Sequence, residues 1–402
     1  MTGRKGVRLS KMQTQSLETP CYIIKYDELE YNYNRLKIAF TNYWQGPLKI
    51  GYSVKTNHLK WILEFMKEKE VYAEVVSNDE FRYAELVGYP TSEIIYNGPH
   101  KKADLLKRAL KQGSIVNIDS FSELNVLKAM KKIEGMKVGL RVNFDLESEC
   151  PGESAMGIEP SRFGFCLENG SFEKALKICN KLNILVCGLH MHQSTKTRSL
   201  NVFRALAKKA AECIKNFGLN NCLEYIDIGG GFFGGRDIGN NPSFEDYAKT
   251  ISEELNHAAD MKNIQLIIEP GASLISTPIS YMTKVVDVRD VRGSRIITVD
   301  GSLLHINPFI ADRQPSYRIV SNGENFSNRQ TICGSTCMEN DRLLNIENAP
   351  KLREGDIIEI EKCGSYTMSY NSCFINLPPA VYVIKGGNYE LVRETWAPTR
   401  LL

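Results

Sequence analysis

LKIGYSVKTNHLKWILEFMKEKEVYAEVVS, residues 48–77, contains one complete repeat of the pattern that decides the fold. A β-rich run at 48–54 is followed by an amphipathic run at 58–69, and a second β-rich run occupies 71–77. In the middle run the apolar residues lie near one face at helical spacing. Strand, helix and strand in this order predict two parallel strands joined by a crossover helix.

The same alternation continues as far as residue 275. It predicts eight strands, at 48–54, 71–77, 93–98, 114–119, 137–144, 184–192, 225–231 and 264–271. Amphipathic stretches, for example 201–216, separate most of these strands. Eight such repeats fit an α/β fold built on a closed, TIM-like (β/α)8 barrel, whose chemistry takes place at the C-terminal ends of the strands.

After residue 275 the pattern changes to β-rich runs broken by Gly, Asn and Pro, which predicts a C-terminal antiparallel β-barrel or sandwich. The strand-like runs are ISYMTKVVDVR (279–289), SRIITVDG (294–301), DIIEIEK (356–362) and AVYVIKGGNYELV (380–392). The strand-like TPCYIIKY at 19–26 is expected to pair with that domain. We therefore predict an N-terminal segment at 1–30, the barrel at 31–275 and the β domain at 276–402.

Composition points to a small molecule as the partner. The 402 residues include 50 Lys plus Arg against 47 Asp plus Glu, so nothing favours nucleic acid or a membrane surface. No apolar run reaches the ~18 residues that a membrane helix needs. Residues 1–16 fit a frayed N-terminus better than an organelle-targeting peptide. The 11 cysteines follow no zinc spacing, which predicts reduced thiols, no metal and a cytoplasmic location.

Four features fall at the C-terminal ends of different predicted strands: Lys55, His192, Gly229 to Gly231, and Glu269. A lysine amine can bond covalently to an aldehyde, and successive glycines let backbone N–H groups approach a phosphate. A carboxylate such as Glu269 can keep a pyridine nitrogen protonated. Each feature alone also suits a structural role, as a surface lysine, a packed histidine, a tight turn or a loop acid. Their shared placement favours one active site.

Cys337, in ICGSTCMEND, lies in the predicted β domain. Polar residues and glycine flank it, so its thiol could donate or accept a proton. For any one of 11 cysteines, simple packing is the competing interpretation.

Taken together, these residues resemble the fold-type III pyridoxal-phosphate (PLP) decarboxylases, the group of the diaminopimelate, ornithine and arginine enzymes. The resemblance runs from about Thr19 to Asn376. It rests on motifs in the family's order: YSVKTN, DSFSEL, LRVN, SRFGF, HMHQS, IGGGF, EPG, GSTCMEND and CGSY.

The resemblance implies a role for each residue. Lys55 would carry PLP covalently, His192 would stack on its ring, and Glu269 would pair with its nitrogen. Cys337 would return a proton to the substrate from the partner subunit of a homodimer. The phosphate would lie near Ser194, Gly229, Gly230, Gly231, Gly271 and Tyr366. Arg162 and Asp341 match positions that can form an ion pair across the subunit interface.

Departures from the family pattern concern the substrate. Ala272 replaces the arginine that usually follows EPG, and Asn307 replaces a second substrate arginine. Met338 stands where an acid usually follows the cysteine, with Glu339 one residue later. Because charge-assisted contacts contribute ~1.5–3 kcal/mol each, their loss predicts an unusual or conjugated α-amino acid, as in siderophore or antibiotic biosynthesis.

Three alternatives stay open. One is diaminopimelate decarboxylase of lysine biosynthesis. Another is an amino-acid racemase of the same barrel, which Glu269 and Cys337 argue against, and the third is a non-catalytic PLP-binding protein. HMHQS is also one residue shorter than usual, which weakens the roles of His192 and Ser194.

Overall fold

The computed structural model describes residues 17–130, 134–257, 261–311, 314–321, 326–371 and 373–401. The predicted frayed N-terminus, residues 1–16, lies outside them. The described chain divides into two compact units: one spans Tyr31–Leu274, and the other combines the residues up to Glu30 with those from Ile275 onward.

The Tyr31–Leu274 unit is built on a closed barrel of parallel strands, as predicted. The strands follow one another in the order β5-β4-β3-β2-β10-β9-β8-β6, and pairing of β6 with β5 closes the ring. Their bounds are β2 Leu48–Ser53, β3 Tyr72–Val75, β4 Ile94–Tyr96, β5 Ile115–Ile118, β6 Lys137–Asn143, β8 Leu185–His190, β9 Tyr225–Asp227 and β10 Gln265–Ile268, with the short β7 Phe165–Cys166 beside β6.

All eight predicted strands are present, and each is shorter than predicted. The runs 225–231 and 264–271 lose their last residues, which are the glycines and the EPG turn. These residues leave the sheet to form loops. The polar side chains therefore project from the end of the barrel instead of pairing within it.

Helices connect the strands, and several begin where the sequence supplies a cap. Ser77, Ser120 and Ser199 each accept a hydrogen bond from the backbone N–H three residues later, which satisfies a free donor of the first turn. The helices are α1 Tyr26–Tyr43, α2 Lys60–Glu68, α3 Asn78–Val87, α4 Ala103–Lys111, α5 Phe121–Lys128, α6 Leu146–Glu149, α7 Ser171–Lys181, α8 Leu200–Asn216, α9 Phe244–Asn256, α10 Ala272–Ile275 and α11 Leu303–Ile306.

The second unit is a mostly antiparallel sheet, in agreement with the predicted β domain. Its strand order is β15-β14-β12-β11-β1-β17-β18, and β16 pairs with β11 and β13. Two pairings, β1 with β17 and β12 with β14, are parallel. The strands are β1 Cys21–Lys25, β11 Ile279–Val291, β12 Ser294–Val299, β13 Tyr317–Val320, β14 Phe326–Cys333, β15 Arg342–Pro350, β16 Ile357–Ile360, β17 Ala380–Lys385 and β18 Asn388–Arg393.

Candidate active site

Lys55 lies in a single 3-10 turn, Val54–Thr56, directly after β2. Its Nζ donates to Ser53 Oγ at 2.8 Å and lies 3.1 Å from Glu74 Oε2. Ser53 in turn donates to the same glutamate oxygen at 2.6 Å. Glu74 is almost fully buried, whereas the lysine side chain is about one-third exposed, so the amine is held by a buried anion yet can be reached from outside.

Asn97 connects the lysine to the glutamate that the sequence singles out. Its Nδ2 donates to Glu74 Oε1 at 3.0 Å and to Glu269 Oε1 at 2.5 Å. Glu269 directly follows β10 and is 3% exposed. Lys55 and Glu269 therefore belong to one buried hydrogen-bonded cluster at the carboxyl ends of the strands.

A second layer of polar side chains supports this cluster. Asn117 Nδ2 donates to Asn97 Oδ1 at 2.9 Å and lies 3.3 Å from Asp227 Oδ2. Tyr225 donates to Asn117 Oδ1 at 2.7 Å. Burial and the neighbouring Glu269 raise the pKa of Asp227 well above its usual value.

The glycine run forms a close-fitting backbone cradle. Gly229 and Gly231 have positive φ values of 77° and 105°, which other residues rarely adopt. A Cβ at Gly230 would lie 2.1 Å from the Glu269 carbonyl oxygen, and one at Gly229 would lie 2.4 Å from His192 Cβ. Only glycine fits at these positions. Nearby, a Cβ at Gly271 would lie 2.2 Å from Thr56 Oγ1.

His192 presents a partly buried, neutral ring. Burial lowers its pKa to about 3, and its Nδ1 has no hydrogen-bond partner among the described residues. Arg141 donates to the His192 carbonyl at 2.9 Å and to Asp119 at 3.1 Å, which fixes the backbone there. His190 stacks beside it, with ring centroids 6.3 Å apart.

Ser194 and Arg162 lie elsewhere in the same unit. Both line a cavity of about 500 Å³ that is formed largely by residues 143–168. The Ser194 carbonyl accepts from Ala155 N at 3.0 Å, and the Arg162 guanidinium lies 4.2 Å from the centre of the Phe163 ring. The phosphate role of Ser194 stays a prediction.

The remaining predicted residues belong to the sheet unit. Cys337 is exposed, and Tyr366 has a positive φ of 60°. Met338 and Glu339 directly follow the cysteine in the sequence. The Glu339 carbonyl accepts a hydrogen bond from Arg342 Nε at 3.1 Å. Asp341 is 2% exposed and accepts hydrogen bonds within its own unit. Its predicted ion pair with Arg162 across subunits stays a prediction.

Several residues of the cluster were not predicted from the sequence. They share one signal, a polar side chain within one residue of the C-terminal end of a barrel strand. They are Ser53, Glu74, Asn97, Asn117 and Asp227.

Comparison with known proteins identifies the family. The pyridoxal binding domain of the pyridoxal-dependent decarboxylases matches residues 27–276, and their C-terminal sheet domain matches residues 274–364. The chain belongs to the pyridoxal-dependent decarboxylase family. Its cofactor is therefore PLP and its reaction is the decarboxylation of an amino acid, as the resemblance implied.

The three similar proteins described next are all named as diaminopimelate decarboxylases. This decarboxylase is 26% identical over 385 residues to diaminopimelate decarboxylase of Zymomonas mobilis, covering 94% of this chain and 90% of the relative. It is 27% identical over 400 residues to a probable chloroplastic diaminopimelate decarboxylase of Oryza sativa, covering 97% and 80%. The diaminopimelate decarboxylase of Methanocaldococcus jannaschii, solved with L-lysine, has a TM-score of 0.84 at 22% identity, covering 97% and 95%.

These names change one expectation. They favour the diaminopimelate alternative over the predicted conjugated substrate of a siderophore or antibiotic pathway, for which the relatives give no support. Among the helices described, none combines the length and apolarity that crossing a membrane requires.

Proposed function

We propose that this decarboxylase removes a carboxylate from diaminopimelate, with PLP held by Lys55 and its ring nitrogen paired with Glu269. One observation carries the proposal: hydrogen bonds run from Lys55 through Glu74 and Asn97 to Glu269 without a break. The names of the relatives support the choice of substrate.

The residues of the cluster fit PLP. The cradle at Gly229 to Gly231 leaves backbone close to where a phosphate would bind, and the neutral face of His192 suits stacking on a flat ring. When bound, PLP supplies a sink for the electrons left on the α-carbon after carbon dioxide leaves. Glu269, buried and fixed by Asn97, supplies the negative charge that keeps a ring nitrogen protonated.

Glu74 is positioned to accept a proton from the Lys55 amine. Lys55 must lose a proton before its nitrogen can bond to a carbonyl carbon. Glu74 Oε2, 3.1 Å from Nζ and itself accepting a hydrogen bond from Ser53, is a buried carboxylate oxygen within reach of that proton. We therefore assign Glu74 as the proton acceptor of Lys55.

A second candidate substrate is an α-amino acid with a different distal end. It is favoured by Asn307, which stands at a predicted substrate-arginine position and uses its amide within its own loop. Asn307 Nδ2 donates to Ala311 O at 2.6 Å, and its Oδ1 accepts from Ala311 N at 3.2 Å. Ala272 and Met338 likewise lack the charges that would hold a charged distal group.

Carbon dioxide release separates the two candidates. The PLP-loaded enzyme is assayed with diaminopimelate, lysine, ornithine, arginine and a citrate-conjugated diamino acid. We expect the highest kcat/KM with diaminopimelate. A higher value with the conjugated substrate would overturn the diaminopimelate proposal and establish the second candidate. Chiral analysis of the recovered substrate tests for racemisation in the same samples.

The active enzyme is proposed to be a homodimer in which Cys337 completes the partner's site. The sheet unit exposes several large apolar side chains, which is typical of a surface that another molecule covers. Among them, the rings of Phe309 and Tyr370 pack edge to face with centroids 4.5 Å apart. This apolar patch comprises Phe309, the adjacent Ile310 and Tyr370, and Phe374 and Ile375 of the same unit are also about half exposed. We also propose a cytoplasmic location, which the 11 free thiols support.

A further inference from the structure

Two buried carboxyl groups meet beneath the proposed cofactor position. Asp227, the last residue of β9, has no exposed surface, and Glu269 has almost none. An oxygen of the Asp227 carboxyl lies within 4.8 Å of one of the Glu269 carboxyl. Oxygen atoms of both lie within 4.8 Å of a nitrogen of His190. The basic side chain beside them is His190, whose Nε2 lies 3.6 Å from Glu269 Oε2. Burial lowers the pKa of His190 well below its usual value, so its ring does not neutralise the pair.

The donors around the pair differ. Glu269 accepts the Asn97 amide at 2.5 Å, a short contact, whereas Asn117 approaches Asp227 only at 3.3 Å. Asp227 Oδ1 accepts from Gly229 N at 3.0 Å, which leaves Oδ2 as the oxygen to hold a proton. Two adjacent carboxyls shielded from water do not readily both ionise, so one of them keeps its proton. Burial, with the charge of Glu269 beside it, raises the pKa of Asp227, in agreement with this assignment.

Resting on the proposed function, we infer that Asp227 is a positioning residue that stays protonated and donates a hydrogen bond to the Glu269 carboxylate. In this arrangement Glu269 alone carries the negative charge. Asp227 and Asn97 together fix its two oxygens, so that the charge faces a ring nitrogen. Asp227 acts through Glu269 and touches neither substrate nor cofactor.

A neutral mimic tests this assignment. In Asp227→Asn the amide can donate to Glu269 and still accept from Gly229 N, whereas Asp227→Leu can do neither. The apparent Kd for PLP is measured by titrating the apoenzyme and following the visible absorbance of the bound cofactor. We expect Asp227→Asn to stay within about 3-fold of wild type and Asp227→Leu to weaken binding at least about 10-fold. An Asn variant as weak as the Leu variant would show that Asp227 is needed as an anion, and would overturn the inference.

A double-mutant cycle separates action through Glu269 from a purely structural role at Gly229. If Asp227 acts through Glu269, Asp227→Leu adds less than about 3-fold to the Kd in a Glu269→Ala background. Effects that multiply independently would overturn the inference. If Asp227→Leu does not fold, Asp227→Ser takes its place, because its hydroxyl can still donate a hydrogen bond. Its Kd for PLP is expected to lie between the values for Asp227→Asn and Glu269→Ala. A Glu269→Ala variant that binds PLP like wild type would instead refute the proposed function itself.

Discussion

At the residue scale, the proposed function depends on the Lys55 amine. Lys55→Ala should abolish the visible absorbance that covalently held PLP gives and reduce kcat at least about 1,000-fold, because no other amine in the cluster can replace it. Lys60→Ala is the matched control, since that lysine is 66% exposed and its one ion pair among the described residues is with Glu64 on its own helix. An unchanged spectrum in Lys55→Ala would remove this residue from the cofactor site.

Two histidines whose pKa values are lowered in the folded protein make its stability depend on pH. Burial lowers the pKa of His192 to about 3 and that of His305 to about 4, against ~6.5 when unfolded. The unfolded chain therefore binds more protons as pH falls below 6.5, and each group costs about 1.4 kcal/mol of unfolding free energy per pH unit until its folded pKa is reached. Urea unfolding of the apoprotein between pH 7 and pH 5 should show this loss. His192→Gln should reduce the slope by one group's share, and an equal slope would contradict the assignment.

At the scale of elements, the barrel strands were predictable and their partnerships were not. Lys55 and Glu269 each end a strongly apolar run, so their placement followed from the pattern alone. Glu74 and Asn97 lie next to the ends of neighbouring strands, and in each case the sequence shows only one polar residue beside an apolar run. Their contacts depend on closure of the barrel, which no local period encodes.

The sheet unit shows a different limit. The strands β14 and β15, FSNRQTIC and RLLNIENAP, were missed because polar residues interrupt any alternation. Both are held by their pairing with each other and by the parallel pairing of β14 with β12. Long-range pairing therefore outweighed weak local preference.

The loop between β14 and β15 carries Cys337, and Asp341 holds it in place. The Asp341 carboxylate accepts from Thr336 Oγ1 at 2.6 Å and from Leu303 N at 2.7 Å. Cys337→Ala should bind PLP normally yet lower kcat about 100-fold, because positioned proton donors contribute about that much. Cys373→Ala, another exposed thiol of the same unit, is the control. A Cys337→Ala enzyme with full kcat and unchanged products would exclude the thiol from proton return.

At the scale of the whole molecule, the proposed dimer depends on the apolar patch. Phe309→Asp places a charge on an exposed ring that is proposed to be covered by a second subunit, and should convert the dimer to a monomer of low activity. Phe326→Asp is the matched control, because this ring is also exposed and lies outside the apolar patch. Light scattering after gel filtration reports the mass. A Phe309→Asp enzyme that stays dimeric and active would place the interface elsewhere.

Shared active sites give a sharper test of assembly, because complementary defects can cancel. Lys55→Ala and Cys337→Ala subunits are each nearly inactive alone. If the thiol completes the partner's site, a mixed dimer contains one site with both defects and one intact site. Random exchange of equal amounts should then restore about a quarter of wild-type activity, since half the dimers are mixed and half their sites work. If Lys55 and Cys337 instead serve the same subunit's site, mixing restores nothing, and the proposed dimeric site fails while the chemistry of Lys55 stands.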